Sequence, residues 1–391
     1  MPRLSHRLPG YLATGLMMVA TGLWAFWGFM EMYYEGWGQP GLLPLAYLIP
    51  GLIFLAFWLL AEALPRFGGW LIMVFGVLFT AWILAMQLRR GSPTLAGLLS
   101  WFPVTAMVVL VGGLFVVAGR RRAREEDEPP RDKKSGGEGS WIRRNVRLLL
   151  PPGTFLLTGL VCTGLNWHVF FRTDDGDRGA RLIRGNDVAL VWAPAGPGWA
   201  QSDPTLPGNL SWNQIALYGM EPVGFQEKPG REDRDATAEE MARYGLFRYL
   251  TADGTSLAPQ PRDLWRMPTV EEIVRSLVRS GGNAGCVPPE GDPAEGVRGR
   301  ASCRETPDKE SPLWATDYPF IYMWAAQEAD HTRAYYVSYN GWVQHQPKSW
   351  GNPRHGHRFV REPGTGEVLP SSPGHRSSPA EDDPHAPSGP T

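Results

Sequence analysis

Residues 148–171 read LLLPPGTFLLTGLVCTGLNWHVFF, and the sequence that follows them is polar and of ordinary soluble character. Four other apolar runs lie upstream, at residues 10–30, 42–60, 67–86 and 94–119. Each run has the roughly 20 residues that a helix needs to cross a hydrocarbon core of about 30 Å. The sequence therefore predicts five transmembrane helices, four of them within residues 1–119 and the fifth at 148–171.

The basic residues predict which side of the membrane each segment faces. Arg3 and Arg7 precede the first run, whereas the loop after that run contains no Lys or Arg. Ten Lys and Arg residues lie in the segment 120–147. Because cytoplasmic loops are enriched in these residues, we expect a multi-pass protein of the cytoplasmic (inner) membrane with a cytoplasmic N-terminus. Five crossings then place the C-terminal domain outside the cytoplasm, in the periplasm.

The composition of the apolar runs and of the segments between them disfavours some classes of function. Residues 120–147 mix acidic and basic side chains with Pro and Gly, which predicts a disordered cytoplasmic loop. Within the apolar runs only His168 is ionisable, and Glu31 and Glu62 lie at run ends where water can reach them. A transporter or proton relay is therefore disfavoured. Nothing in the sequence favours nucleic acid as a partner.

Residues 172–362 are enough for one folded domain, and the Pro-, Ser- and Gly-rich tail at 363–391 is predicted to be disordered. Asp174, Asp175 and Asp177 are interpreted as part of the linker that joins the domain to the last helix. The spacing of Thr269 with Glu272 predicts a capping box. The apolar stripe that follows predicts a helix as far as Gly281-Gly282. Thr237 and Glu240 predict a second, shorter helix.

Strands are the other component of the domain, which is therefore predicted to be α+β. Residues 187–193 alternate and are β-branched. Residues 334–343 predict a hairpin around Asn340-Gly341, a pair typical of the type I′ turn. Residues 357–362 predict a closing strand.

Two of the three cysteines, Cys286 and Cys303, lie in this domain, on either side of a segment rich in Gly, Pro and charge. A disulfide there would close a loop that cannot bury a core of its own, and an external compartment permits the bond. The sequence therefore predicts a Cys286–Cys303 disulfide.

Residues 264–272 read LWRMPTVEE, and further on come AYYVSYNG at 334–341 and NPRHGHRFVR at 352–361. The first resembles the "W-R-L-P-T-x-x-E" motif, and the last resembles the "G-x-R-C-V-R" closing strand, of the formylglycine-generating, sulfatase-modifying superfamily and its bacterial C-type-lectin-like relatives. The resemblance is confined to residues 187–362. It implies a lectin-like fold in which Trp265, Arg266, Pro268, Thr269 and Glu272 build the architecture.

The enzymes of that superfamily hold copper with a pair of cysteines near the end of the domain. In this sequence Phe359 stands where the closing strand often has Cys, and Cys286 and Cys303 lie earlier. Without two nearby thiolates a soft copper site cannot be built in the same way. The departure argues against oxidase activity.

No other cofactor site is predicted, although copper and calcium are left open. A metal site needs three or four converging ligands. The histidines of the last third of the domain are interpreted as surface or hydrogen-bonding residues: His331, His345, His355 and His357.

A better candidate site lies in the segment 342–354. The candidate ligand-binding residues are Trp342, His345, Trp350, Asn352 and Arg354, with Trp324 as an adjacent member. Indole faces beside amide and guanidinium donors suit the apolar faces and hydroxyls of a sugar, or a peptide segment. The alternative is that several of these tryptophans belong to the core.

Three functions follow as hypotheses. The leading one is a non-enzymatic, membrane-anchored binding module for a glycan or a partner protein. The second is an enzyme, either a divergent sulfatase-modifying-like oxidase or a different activity on the same scaffold. The third is a structural subunit of a membrane complex.

Overall fold

The computed structural model describes residues 2–37, 41–89, 97, 100–101, 105–127, 139–194, 210–221, 223, 234–291, 298–351, 354–367 and 369. The chain divides into two compact units, Met1–Val169 and Phe170–Thr391. The described part of the first unit is helical, and the second carries the strands.

The first unit contains five long helices in its described residues. They are α1 (Pro2–Glu31), α2 (Ile49–Ala63), α3 (Pro65–Arg89), α4 (Ala106–Asp127) and α5 (Gly139–Leu165), with a π-helical turn at Met32–Gly36 after α1 and 3₁₀ helices at Leu43–Leu48 and Trp167–Phe171. Four segments are long and apolar enough to cross a membrane: Leu8–Gly36, Leu43–Ala63, Pro65–Arg89 and Leu148–Leu165. The chain is a membrane protein, as the sequence predicted.

The apolar run at 94–119 is not among these four segments. Most of its first half lies outside the described residues, and α4 contains only its second half. Small residues bring α4 against α3: a Cβ on Gly69 would lie 2.8 Å from the backbone nitrogen of Val116, and one on Gly76 would lie 3.1 Å from that of Val109. Because the two contacts run in opposite directions along the helices, α3 and α4 are antiparallel neighbours.

The segment 120–147 differs from its prediction as a disordered loop. α4 continues to Asp127 and α5 already begins at Gly139, so both ends of the segment are helical. Residues 128–138 lie outside the described part of the chain.

Glu62 also differs from its prediction, because it is buried in the helical bundle instead of reaching water at a helix end. The Thr14 hydroxyl of α1 donates a hydrogen bond to its Oε1. A buried carboxyl group needs such a partner, since the apolar interior offers no water.

The described strands of the second unit number twelve. They are β1 (Arg181–Gly185), β2 (Val188–Trp192), β3 (Val278–Arg279), β4 (Gly282–Asn283), β5 (Cys286–Val287), β6 (Gly299–Arg300), β7 (Ser302–Cys303), β8 (Tyr322–Glu328), β9 (Arg333–Ser338), β10 (Trp342–Pro347), β11 (His355–Gly356) and β12 (Val360–Arg361). A five-stranded sheet has the order β11-β8-β9-β10-β6, and a three-stranded sheet has the order β1-β2-β12. Only the β8–β11 pair of these two sheets is parallel.

Short helices complete the unit: α6 (Trp212–Ala216), α7 (Ala238–Tyr244), a 3₁₀ helix at Leu246–Tyr249, and α8 (Val270–Arg275). The three α-helices each begin with a capping box, two of which, Thr237 with Glu240 and Thr269 with Glu272, were predicted. One buried cluster joins both larger sheets to α6 and α7, through Val191, Trp212, Met241, Trp324 and Tyr336. The second unit is therefore α+β, as predicted.

The helix predicted from the apolar stripe is shorter than expected. α8 ends at Arg275, and the Leu277 carbonyl accepts a hydrogen bond from the Ala284 amide at 2.8 Å instead of continuing the helix. Ser280 and Gly281 have φ of 50° and 77°, which folds the chain into the β3–β4 hairpin. All five residues of the stripe are buried, but two of them, Leu277 and Val278, lie beyond the end of α8, at the start of the hairpin.

The turn between β9 and β10 is also different from the prediction. Gly341 has φ of 87° and its amide donates to the Ser338 carbonyl at 3.0 Å, while Asn340 keeps a negative φ. A type I′ turn needs a positive φ at both central residues. The connection is instead a three-residue loop with its left-handed residue at Gly341.

The Cys286–Cys303 disulfide is present, as predicted. The two residues face each other directly in the β5–β7 pair, with their Cα atoms 3.9 Å apart.

Residues 172–179, interpreted as a linker, are packed into the second unit. Arg172 and Asp308 form a buried ion pair at 2.7 Å. Asp174 accepts a hydrogen bond from the Thr316 hydroxyl at 2.6 Å and pairs with Arg178 at 2.7 Å. The predicted linker is therefore part of the folded second unit.

Candidate ligand-binding surface

One residue from each strand of the five-stranded sheet lies in a row across one of its faces. His355 pairs with Tyr322, Tyr322 with Ser338, and Trp342 with Arg300. The Ser338 Oγ accepts a hydrogen bond from the Trp342 amide at 2.9 Å and so joins the two halves of the row. Side chains of paired residues stand on the same face of a sheet. We call these five residues the transverse row.

Two exposed indole rings lie in or next to the transverse row. Trp342 is 41% exposed on β10. Trp350 is 47% exposed, and its ring centroid lies 6.2 Å from that of His355 on β11. β10 and β11 are three strand spacings, or about 14 Å, apart. We call the part of the face between Trp342 and Trp350 the strip. Large exposed aromatic side chains on a rigid sheet are a typical feature of recognition surfaces.

His355 is fully buried beneath the Trp350 end of the strip. Its ring lies 4.8 Å from Trp324, 5.0 Å from Tyr322 and 5.2 Å from Tyr336, measured between ring centroids. Burial, and secondly the charge of Arg354, lowers the pKa of His355 to about 4. The imidazole is therefore neutral near pH 7 and acts as an aromatic support for Trp350.

Polar side chains border the strip. Gln344 and Gln346 alternate with Val343 and His345 and so share the face of Trp342. The Gln346 Nε2 donates to the Tyr336 hydroxyl at 3.3 Å. Arg300 is exposed and Arg354 is half-buried. The surface thus offers amide and guanidinium donors beside apolar rings.

The structure brings only part of the predicted site together. Trp324 is fully buried, with its Nε1 donating to the Leu210 carbonyl at 3.2 Å, so it belongs to the core. His345 stands on the opposite face of β10 and accepts a hydrogen bond from the Arg298 Nε at 2.6 Å. Asn352 lies outside the described residues. Trp342, Trp350 and Arg354 are the members that remain at the surface.

The sequence could have predicted that Trp342 and His345 stand on opposite faces of β10, because residues three positions apart on a strand point to opposite sides. The burial of Lys348 could not be predicted in this way. Its Nζ donates to the Ala236 and His331 carbonyls at 2.8 and 3.0 Å and lies 5.0 Å from the centre of the Trp212 ring. Tertiary contacts from distant segments create that site.

The residues of the motif at 265–272 make contacts within the fold of the second unit. The Trp265 Nε1 donates to the Thr251 carbonyl at 2.9 Å. Arg266 forms a two-pronged ion pair with Glu272 at 2.7 and 2.6 Å. Burial raises the pKa of Glu272, but the Arg266 guanidinium and the Thr269 amide hold it below its ordinary value. Pro268 contributes its carbonyl, which accepts from the Ala326 amide at 2.8 Å.

The residues do not fit the copper site of the superfamily that the sequence resembles. Cys286 and Cys303 are bonded to each other, and Phe359 is buried in the core. No group of three or more His, Cys, Asp or Glu residues suited to a metal ion is found among the described residues.

Comparison of the chain with protein-family models, curated proteins and solved structures gives no match.

Proposed function

We propose that the second unit is an extracytoplasmic binding module, held at the membrane by the helices of the first unit, that recognises a glycan through the exposed rings beside the transverse row. The observation that carries the proposal is the pair of exposed rings, Trp342 on β10 and Trp350 in the loop after β10, where it lies next to His355. A pyranose presents apolar C–H faces and hydroxyl edges. Indole rings can stack on the faces, while amide and guanidinium groups bind the hydroxyls.

Rigid support favours binding over chemistry at this surface. His355 is held in an aromatic cluster and Ser338 bonds to the turn residue Asn340 at 2.6 Å. Side chains fixed in this way lose little conformational entropy when a ligand docks. A partner protein with an extended segment is the second ligand class, and Arg300 beside Trp342 suits it as well.

An external location is part of the proposal. The antiparallel packing of α4 on α3 supports a crossing by the run at 94–119, which makes five crossings with the four segments above. With a cytoplasmic N-terminus, five crossings put the second unit outside. The Cys286–Cys303 disulfide supports the same side, because such bonds persist in oxidising compartments.

The oxidase hypothesis receives less support. Both cysteines of the second unit are committed to the disulfide, so neither is a free thiolate. A role as structural subunit of a membrane complex is compatible with the binding module and concerns the first unit.

The test is a glycan array probed with the full-length protein in detergent, followed by titration of the best glycan. Trp342→Ala and Trp350→Ala are expected to weaken binding by roughly 1 to 3 kcal/mol each. Leu264→Ala is the matched control, because Leu264 is also an exposed apolar side chain and lies outside the sheet.

Retention of wild-type affinity by both tryptophan variants would exclude the transverse row as the binding surface. An array without a hit, together with a co-purified protein lost in Trp342→Ala, would favour the partner-protein alternative.

A further inference from the structure

The three-stranded sheet has a second buried face that the transverse row does not use. Arg181 pairs with Trp192, and Trp192 pairs with Val360, so these three residues share one face. Arg358 lies two residues before Val360 and stands on that face too, with its guanidinium carbon 5.9 Å from the centre of the Trp192 ring. The opposite face carries Leu182, Val191, Ala193 and Phe359, which belong to the main core.

Arg358 is a buried cation whose contacts are all uncharged. It is 3% exposed. Its Nε donates to the Ala193 carbonyl at 2.6 Å, and its Nη1 donates to the carbonyls of Pro312 and Leu313 at 3.0 and 2.6 Å. No carboxylate of the described chain lies within ion-pair distance of it. A buried charge without a counter-ion is strongly unfavourable.

Arg181 is buried on the same face, but the Asp175 carboxylate neutralises its charge. Its Nη1 and Nη2 bind Asp175 at 3.1 and 2.6 Å, and Nη1 lies 3.6 Å from Asp177. Both acids are therefore engaged by Arg181. The charges of Arg181 and Arg178 act on Arg358 in the unfavourable direction, and Asp177 opposes them.

Two further donors on this face are buried without an acceptor in the part of the chain that the structure describes. They are the Nε of Arg181 and the Nε1 of Trp192. A buried N–H that lacks a partner costs about 1 to 3 kcal/mol, and native proteins avoid it. The face thus combines an uncompensated positive charge with a surplus of donors.

We propose that the Arg181–Trp192–Arg358 face binds a small oxyanion. Oxyanions accept several N–H bonds at once, and the guanidinium fork matches their geometry. Because the three side chains are almost completely buried, the ligand is a free ion and not the end of a macromolecule. The site lies on a different sheet from the transverse row and is independent of glycan binding.

Water is the alternative occupant. It could satisfy the neutral indole N–H, but it would leave the charge of Arg358 without a counter-ion.

The experiment titrates the full-length protein in detergent with inorganic phosphate and, in parallel, with acetate, at constant ionic strength set by chloride. We expect one of the two oxyanions to bind with measurable heat and to raise the melting temperature above that in chloride alone. Phosphate and acetate distinguish a tetrahedral from a planar anion.

Trp192→Phe removes the indole donor but keeps an aromatic ring, and it is expected to weaken anion binding roughly tenfold or more. Trp314→Phe is the matched control. Its Nε1 is also buried without a described acceptor, but its ring packs on Phe320 and Tyr339. Arg181→Lys is a second variant, which keeps the charge beside Asp175 and loses the Nε donor.

Three results would overturn the proposal. One is an equal response to phosphate, acetate and chloride, and another is an equal loss in the Trp192 and Trp314 variants. The third is an experimental density map that contains only water next to Arg358. A site-specific loss in Trp192→Phe, repeated in Arg181→Lys, supports it.

Discussion

His357→Gln should make the second unit less sensitive to acid. The His357 ring is buried against Phe359, with ring centroids 5.2 Å apart. Neither ring nitrogen has a hydrogen-bond partner in the described residues. Burial lowers the pKa of His357 to about 4, against an ordinary value of 6.5. Gln at this position cannot become charged.

The sign follows from the lowered pKa. In the folded state His357 resists protonation until about pH 4, whereas the unfolded chain takes up the proton near pH 6.5. The free energy of unfolding is therefore undiminished above pH 6.5 and falls as the pH drops towards 4. At pH 4.5 the two pKa values give a loss of about 2.5 kcal/mol relative to pH 7.

The assay is urea unfolding of the full-length protein in detergent at pH 7.0 and pH 4.5, followed by tryptophan fluorescence. Acid also weakens carboxylate contacts. One example is Asp174, whose pKa is raised by burial but held well below its usual range by Arg178 and Thr316. Those losses are common to both proteins and cancel when the wild-type and His357→Gln losses are compared.

The exposed His331 provides the control, because its side chain is in water in both states. His331→Gln should show the full wild-type loss between the two pH values. An equal loss in His357→Gln would refute the reasoning, since it would mean that the buried imidazole does not resist protonation.

Other substitutions test the remaining structural claims. Burial, and secondly the charge of Arg172, lowers the pKa of Lys309 to about 7 from 10.5. Wild type should therefore gain about 2.5 kcal/mol of stability between pH 7.5 and 9.5 relative to Lys309→Met, by urea unfolding. Trp324→Ala should cost about 3 to 5 kcal/mol, and a smaller cost than that of Trp350→Ala would contradict their placement. The double change Cys286→Ser and Cys303→Ser should cost about 3 kcal/mol by the entropy of a loop of this size, and unchanged stability would disprove a structural role.

The sequence predicts the local elements of this chain well where one segment decides them. Apolar length is enough for four of the five predicted membrane segments, and the capping-box spacing of Thr269 with Glu272 begins α8 where it is observed. The end of α8 could not be predicted, because the apolar stripe is compatible both with a longer helix and with a helix followed by a hairpin. The β3–β4 turn at Ser280 and Gly281 decides between them, and it depends on the partners of that hairpin.

The candidate surface was predicted in part for the same reason. Trp342 and Trp350 are separated by only eight residues, and both are exposed. Trp324 has the same side chain and is buried, because Leu210, more than 100 residues earlier, supplies its acceptor. Whether a side chain is exposed depends on tertiary packing, so it cannot be predicted from the residue type alone.

Three buried cations could not be predicted from the sequence, but the structure shows whether the charge of each is compensated. Lys348 is buried but lies 3.4 Å from a Glu328 oxygen, so it has a counter-ion. Lys309 donates to the Thr316 and Tyr318 carbonyls and can release its proton near neutral pH, because its pKa is about 7. Arg358 has no counter-ion among the described residues, and it does not lose its proton at neutral pH. Even in its buried site the pKa of its guanidinium is about 9, so the group stays charged at pH 7 and its three carbonyl contacts leave that charge uncompensated. We therefore expect a compensating anion at Arg358 and not at the two lysines, and phosphate or acetate should stabilise the wild type through that site.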